Sequence, residues 1–369
     1  MRHPSSWRLA VLVGVLVVSV AGRAVHARGV GLQEEQAAAP APPGKVAPGE
    51  VAREIRRRVE AALPDTVGDR ERVARLLHPE VVAPRLGGAL PIDRIGRALG
   101  DRLRPVRCER CDPLLGAGDG QVELFRGEGG SVLRWDRLRG RVDYLNPGRR
   151  FKPAAGDENR VTHEAARSTA SRVLEAVGVP RPEVAPAEGR ARDAILVARD
   201  AAGKEPTRVW RAEVHVRYHR AVAGTPVYLS RFHAAVDRRG EVARLHASWP
   251  DFSLCSGLSA RDTMSRNAVI AAVTHRLARS YADPRNLGQV AVTVAYVRAG
   301  DFGGSVAGTG GPLADAADAE GAPGVRLAEP SCFAPALVVR AIPVAQPEDS
   351  GEVSPPIQEL VQPLLAAPE

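Results

Sequence analysis

Over residues 209–219 apolar and polar side chains alternate from Trp210 onward. Trp210, Ala212, Val214, Val216 and Tyr218 share one parity, and Arg211, Glu213, His215, Arg217 and His219 share the other. A period of two with one apolar set predicts a half-buried strand. Ala223-Gly224-Thr225-Pro226 then breaks the pattern with turn residues, glycine for a positive φ and proline for a fixed one. A second strand is expected over about 226–236, and Asp237-Arg238-Arg239-Gly240 is a further turn. A third strand runs from Glu241 to Trp249. Such a meander needs a cover on its apolar face. The helical stripe Ala166, Ala170, Val173, Leu174 and Val177 supplies one, with Thr162 as N-cap, Gly178 at C′ and Pro180 just beyond.

The same reading extends in both directions. Val122–Phe125, Val132–Trp135 and Val142–Leu145 are short strands with turns at Glu128-Gly129-Gly130 and Arg139-Gly140. One more strand is expected at 193–198. Upstream, helical patterns occupy about 49–63, 68–78 and 91–103, and 48–120 is expected to form a small helical subdomain. Downstream, a helix is expected over about 260–281, opened by a Ser259/Asp262 capping box, with strands at 288–297 and 334–342. The expected fold class is therefore α+β: two helix-on-antiparallel-sheet units, 121–250 and 251–342, after the helical segment. Residues 299–324, rich in Gly, Ala and Asp, are expected to be a mobile or functional loop. The Pro-rich tail 343–369 is expected to be unpacked, with Ile357–Leu365 able to dock as a short helix.

The central stretch resembles a known family. The order is a helix, a strand, Gly224-Thr225-Pro226-Val227 at a hairpin, Ser230, and then Val236-Asp237-Arg238-Arg239-Gly240-Glu241-Val242. Over about 161–250 this is similar to the PepSY and propeptide-type domains that precede thermolysin-like metallopeptidases and also occur alone in secreted bacterial proteins. The resemblance implies a small α+β domain that binds or restrains another protein and carries no catalytic residues. No H-E-x-x-H occurs in the chain.

The first residues bear on compartment. Arg2 and Arg8 precede the apolar run Leu9–Ala21, and Val25-His26-Ala27 offers a small-residue cleavage site, so 1–27 reads as a secretory signal. Contact with a membrane is expected only through an uncleaved signal, because no later apolar run is long enough to cross one. Residues 28–47 read as a disordered Ala/Pro/Gly/Gln linker. The formal charge of +8 falls to +5 when Arg2, Arg8 and Arg23 leave with the signal. Arginine far outnumbers lysine, yet no recognition-helix pattern or aromatic-rich basic sheet points to nucleic acid.

Candidate chemistry is sparse. Cys108 and Cys111 form a C-x-x-C pair in a loop between Pro105 and Pro113. In an oxidising compartment this reads as a short disulfide, with a redox dithiol or half a zinc site as alternatives. Cys255 and Cys332 are then left to pair. His215, His219 and His233 fall on the polar face of the meander, with His246 and Glu213 near, and could bind a metal ion; with the hairpin centred on Gly224, His215 is expected directly opposite His233. No G-x-S-x-G elbow or phosphate-cradling loop is present, and no cofactor motif is legible. The sequence thus predicts a secreted, non-enzymatic protein-binding or inhibitory module whose partner is another secreted or envelope protein, a peptidase included. The alternative is a periplasmic metal- or redox-handling protein using Cys108/Cys111 or the histidine face.

Overall fold

The structure is a computed structural model that describes residues 48–79, 91–106, 122–137, 139–153, 158–199, 206–281, 286–302, 306–307, 332–344 and 357–366. The signal and linker expected at 1–47, Cys108 and Cys111, and most of the expected loop 299–324 lie outside these residues.

The fold is α+β and mostly sheet. Helices α1 (Pro48–Ala62), α2 (Arg70–Leu76) and α3 (Ile92–Leu99) come first. Strands β1 (Arg104–Pro105), β2 (Val122–Arg126), β3 (Val132–Asp136) and β4 (Arg141–Leu145) follow. Helix α4 (His163–Ala176) leads into β5 (Val184–Arg199), β6 (Pro206–Val222), β7 (Thr225–Val236) and β8 (Val242–Ser248). Helix α5 (Arg266–Ser280) precedes β9 (Leu287–Arg298), β10 (Val306–Ala307), β11 (Phe333–Pro343) and β12 (Gln358–Pro363).

The large sheet has the order β1-β2-β3-β4-β8-β7-β6-β5, all antiparallel. The chain enters at one edge, crosses over through α4, restarts at the other edge and winds back until β8 meets β4. The alternation read in 209–219 decides which face is inside: Val214, Val216 and Tyr218 are buried while Arg217 and His219 are exposed. Buried residues of α3 (Ile95, Leu99) and α4 (Ala166, Ala170, Val173, Leu174) cover that inner face. The Thr162 hydroxyl accepts from the Ala165 N–H at 3.1 Å, and Gly178 turns the chain away at φ 84°. Both ends of α4 are thus those the sequence predicts.

The small sheet has the order β9-β11-β12-β10 and packs under α1 and α5. Val51, Ile55 and Val59 of α1 meet Val269, Val273 and Leu277 of α5 over Leu337 and Val339. Each fully buried side chain of this kind contributes about 1.5–3 kcal/mol over exposure.

Several expectations are corrected. The large and small sheets are not clearly separate helix-on-sheet units, because a parallel pairing of Val227 with Tyr296 links β7 to β9 in one hydrogen-bonded path. Among the described residues of 48–120 the helices do not form a subdomain of their own: α1 packs in the core under α5 and α3 in the core under α4. Ser259 opens only a short 3-10 turn, and α5 is capped by Ser265, whose side chain accepts from the Ala268 N–H at 3.2 Å. In the tail, 358–363 is strand β12 rather than a helix, with Leu360 and Val361 buried. Its two-sided burial in a sheet overrides the helical reading.

The expected bridge between Cys255 and Cys332 is present, with the Cα atoms 4.8 Å apart and the two cysteines 77 positions apart in sequence. Closing a loop of that length restricts the unfolded chain and contributes roughly 3–5 kcal/mol. It lies at the junction of the sheets, where Phe252 packs on Tyr296 and Phe333. The same region buries an ion pair that the sequence does not reveal. Arg220, 2% exposed, donates to Glu183 at 2.7 Å, and the Trp249 indole donates to the same carboxylate oxygen at 3.0 Å.

Candidate functional site

The outer face of the large sheet is built by the polar parity of β3 to β8. Cross-strand register sets it out in rows. One row runs Arg190, Arg217, His233, His246, Asp143, Arg134. The next runs Arg192, His215, Ala235, Arg244, Leu145, Val132. On the other side His219 stands opposite Arg231, Arg231 opposite Ser248, and Ser248 opposite Arg141.

Over β3, β4, β8 and the Glu213–His215 stretch of β6 the charges are balanced. Asp143 takes the Arg141 guanidinium at 2.7 Å and His246 Nδ1 at 2.8 Å. Burial pushes the Asp143 carboxyl up, but these two partners outweigh it and its pKa falls below the usual carboxylate value. Glu213, 5% exposed, holds Arg244 at 2.5 Å and His215 at 3.1 Å. Here too the partners outweigh burial and lower the pKa. An open groove of about 440 Å³ lies among these groups, lined by Val132, Arg134, Asp143, Leu145, His233, Arg244 and His246. Exposed Val132 and Leu145 give it an apolar floor at one end.

His233 sits at the boundary of this region. Its Nε2 is buried without a hydrogen-bond partner. Burial, then the neighbouring His215 and Arg217, push its pKa down to about 3, so the ring is neutral at pH 7. Its ring meets His215 edge-on, with centroids 4.9 Å apart.

At four arginines of β5, β6 and β7 the balance fails, although Asp193 of β5 pairs with Arg211 and His163. Arg190, Arg192, Arg217 and Arg231 are all exposed, and none makes an ion pair with an acid among the described residues. Arg190 faces Arg217 directly across the strands, and His219 faces Arg231. Partial burial first, and then Arg231 and Arg192, lower the Arg217 pKa; partial burial first, and then Arg190, Arg231, Arg217 and Arg340, lower that of His219. Like charges placed opposite one another in a sheet destabilise it.

Gly189 makes this register possible. Its φ is 72°, and a Cβ there would lie 2.7 Å from the Tyr218 ring. The β5–β6 pairing shifts between Ala185 and Arg190, after which β5 resumes with Arg190 opposite Arg217.

The metal reading of His215, His219 and His233 is corrected. The structure brings His215 and His233 together but leaves His219 opposite Arg231, further along the strand. No group of three or more His, Cys, Asp or Glu among the described residues is arranged to hold a metal ion. The arginines around the histidines would repel a cation. The expected register is also off by two residues. His233 pairs with Arg217 and His215 with Ala235, because the β6–β7 pairing shifts between His219 and Ala221 and Leu229 adopts φ 58°. The Asp143–His246 pair orients an imidazole as a general base needs, but no Ser, Thr or Cys among the described residues bonds to it. The arginine row was not singled out from sequence. The signal was there in the parity shared by Arg217 and His219, but the first half of β5 was hidden by Pro186 and Gly189.

No protein-family model matches the chain, and no curated protein matches it. Among solved structures it is similar to an uncharacterized protein from Eubacterium rectale ATCC 33656 at 10% identity and TM-score 0.35, over 75% of this chain and 79% of that one.

Proposed function

We propose that this protein is a secreted, non-enzymatic binding module that holds another extracytoplasmic protein on the outer face of its large sheet. One observation carries the reading. The inner face of that sheet is closed by α3 and α4, while the outer face keeps Arg190, Arg192, Arg217, His219, Arg231 and Arg244 exposed to solvent. A face this charged and uncovered does nothing for the core, and it offers steering and specificity to a partner of opposite sign. The resemblance of 161–250 to PepSY and propeptide-type domains supports the same reading, since such domains bind or restrain another protein. The N-terminal pattern Met1–Ala27 supports an extracytoplasmic setting. No helix among the described residues is long and apolar enough to cross a membrane.

The test uses purified mature protein, residues 28–369, against the extracytoplasmic proteins and secreted peptidases of its source. Capture of a protein partner with a dissociation constant in the micromolar range or tighter, or inhibition of a peptidase, is the expected result. A protein that captures no partner and inhibits no peptidase would remove the reading.

A further inference from the structure

The outer face ends at an edge strand, and the edge carries more information than the face. Among the described residues β5 pairs with β6 alone. Among those residues no strand takes the backbone donors and acceptors on its other side, which leaves that edge open to a further strand. The β5–β6 ribbon also runs past the body of the sheet: β6 meets β7 only from Val214 onward, whereas its pairing with β5 continues to Pro206. On this projecting ribbon Ile195, Val197 and Val209 are 56%, 41% and 51% exposed. β-Branched residues left open on a free edge mark a place where another chain adds.

The charges next to that edge select what can add. Arg190 and Arg192 alternate along β5 on the outer face, backed by Arg217 and Arg231 on β6 and β7. A second copy of β5 would bring its own Arg190 and Arg192 against this row and be repelled. An acidic strand would not. Residues two apart on an extended chain project to the same side about 6.8 Å apart, which is also the spacing of Arg190 and Arg192. Carboxylates at alternate positions of an added strand would thus face the row in register.

Resting on the binding reading above, we propose that β5 takes an extended acidic segment of the partner protein as an added strand, with alternate Asp or Glu side chains over Arg190, Arg192 and Arg217. Backbone hydrogen bonds along β5 give affinity, and the arginines give choice of partner and direction.

The probe is a fluorescent 12-residue peptide alternating Glu and Thr, titrated into the mature protein and followed by anisotropy. Three comparisons accompany it: the peptide with alternate amides N-methylated, the Lys-for-Glu peptide, and sodium polyphosphate. The Glu/Thr peptide is expected to bind, and the N-methylated and Lys peptides to bind at least about tenfold more weakly. The double variant R190E/R217E, exposed at both positions, is expected to lose a similar factor while keeping its melting temperature. A second variant, Val197→Pro, is expected to weaken the peptide with the arginines untouched.

Equal binding of the N-methylated peptide, tighter binding of polyphosphate, or concentration-dependent dimerisation through β5 would each overturn the proposal. Absence of any peptide binding would do the same. The two readings fail separately. If R190E/R217E and Val197→Pro still capture the partner found with the wild type, this proposal falls and the binding reading stands. If the wild type captures nothing, the binding reading falls as well.

Discussion

The two halves of one sheet face obey different rules. Over β3, β4, β8 and the Glu213–His215 stretch of β6, Asp143 and Glu213 each serve two basic partners. Beyond them on β5, β6 and β7, Arg190, Arg192, Arg217 and Arg231 crowd together, and none of the four makes an ion pair with an acid among the described residues. The first half is what a fold needs, since a half-buried charge is kept only when paired. The second half works against the fold and is tolerated because water screens exposed charges. What the difference teaches is where to look for contact. A charge arrangement that stability does not explain is the one to read for function.

The comparison can be calibrated by a third arginine position. Arg220 lies three residues from Arg217 on β6 but turns into the core, where Glu183 and the Pro250 carbonyl oxygen receive it among the described residues. Glu183→Ala strands that guanidinium and is expected to lose about 3–5 kcal/mol in urea unfolding, the largest effect in the molecule's polar set. A loss under about 1 kcal/mol would mean that Arg220 reaches water and that burial does not separate the two arginines.

Glu213→Ala removes the acid of the balanced half. It is expected to cost about 1–3 kcal/mol, because Arg244 and His215 lose their shared partner while Arg244 can still turn to solvent. The same denaturation experiment reads it.

His233 tests the boundary between the halves by pH. Its folded-state pKa of about 3 lies below the unfolded value near 6.5, so the unfolded chain binds the extra proton in between. The stability contributed by the neutral ring is present above pH 6.5 and is lost as pH falls from there toward 3. At pH 4 the loss is expected to reach up to about 3 kcal/mol, and His233→Gln is expected to flatten it. His219, lowered in the same direction, adds to the slope in both proteins. Thermal melts between pH 7 and 4 that run parallel for wild type and variant would contradict the assignment.

The smallest effect carries the sharpest contrast. Arg217→Ser is expected to leave stability unchanged or raise it by about 0.5 kcal/mol, with any gain fading in high salt. A loss of more than about 1 kcal/mol would show that Arg217 holds the fold together, and the two halves would then be alike.

Much of the fold was legible before any coordinates. The parity of 209–219, the turns at Gly224 and Gly240, and the caps Thr162 and Gly178 mark elements that local chemistry alone specifies. The strands at 122–126, 132–136 and 141–145 follow from the same period of two. What sequence could not show depends on partners far away in the chain. The strand at 358–363 exists because β11 pairs with it, and α1 finds its place only against α5. The histidine register slipped because Leu229, at positive φ, shifts β7 in a way that no residue-type rule anticipates. Of the candidate site, the polar face of β6 was visible from its alternation. The arginine row was not, because it is assembled from three strands and one of them begins behind a proline and a glycine.

Hydrogen–deuterium exchange of the mature protein, with and without the Glu/Thr peptide, tests the central claim most directly. An added strand is expected to protect amides in 190–198 of β5, leaving Asp143, His246 and their neighbours unchanged. Protection centred on the groove between β4 and β8, or none anywhere, would contradict the account.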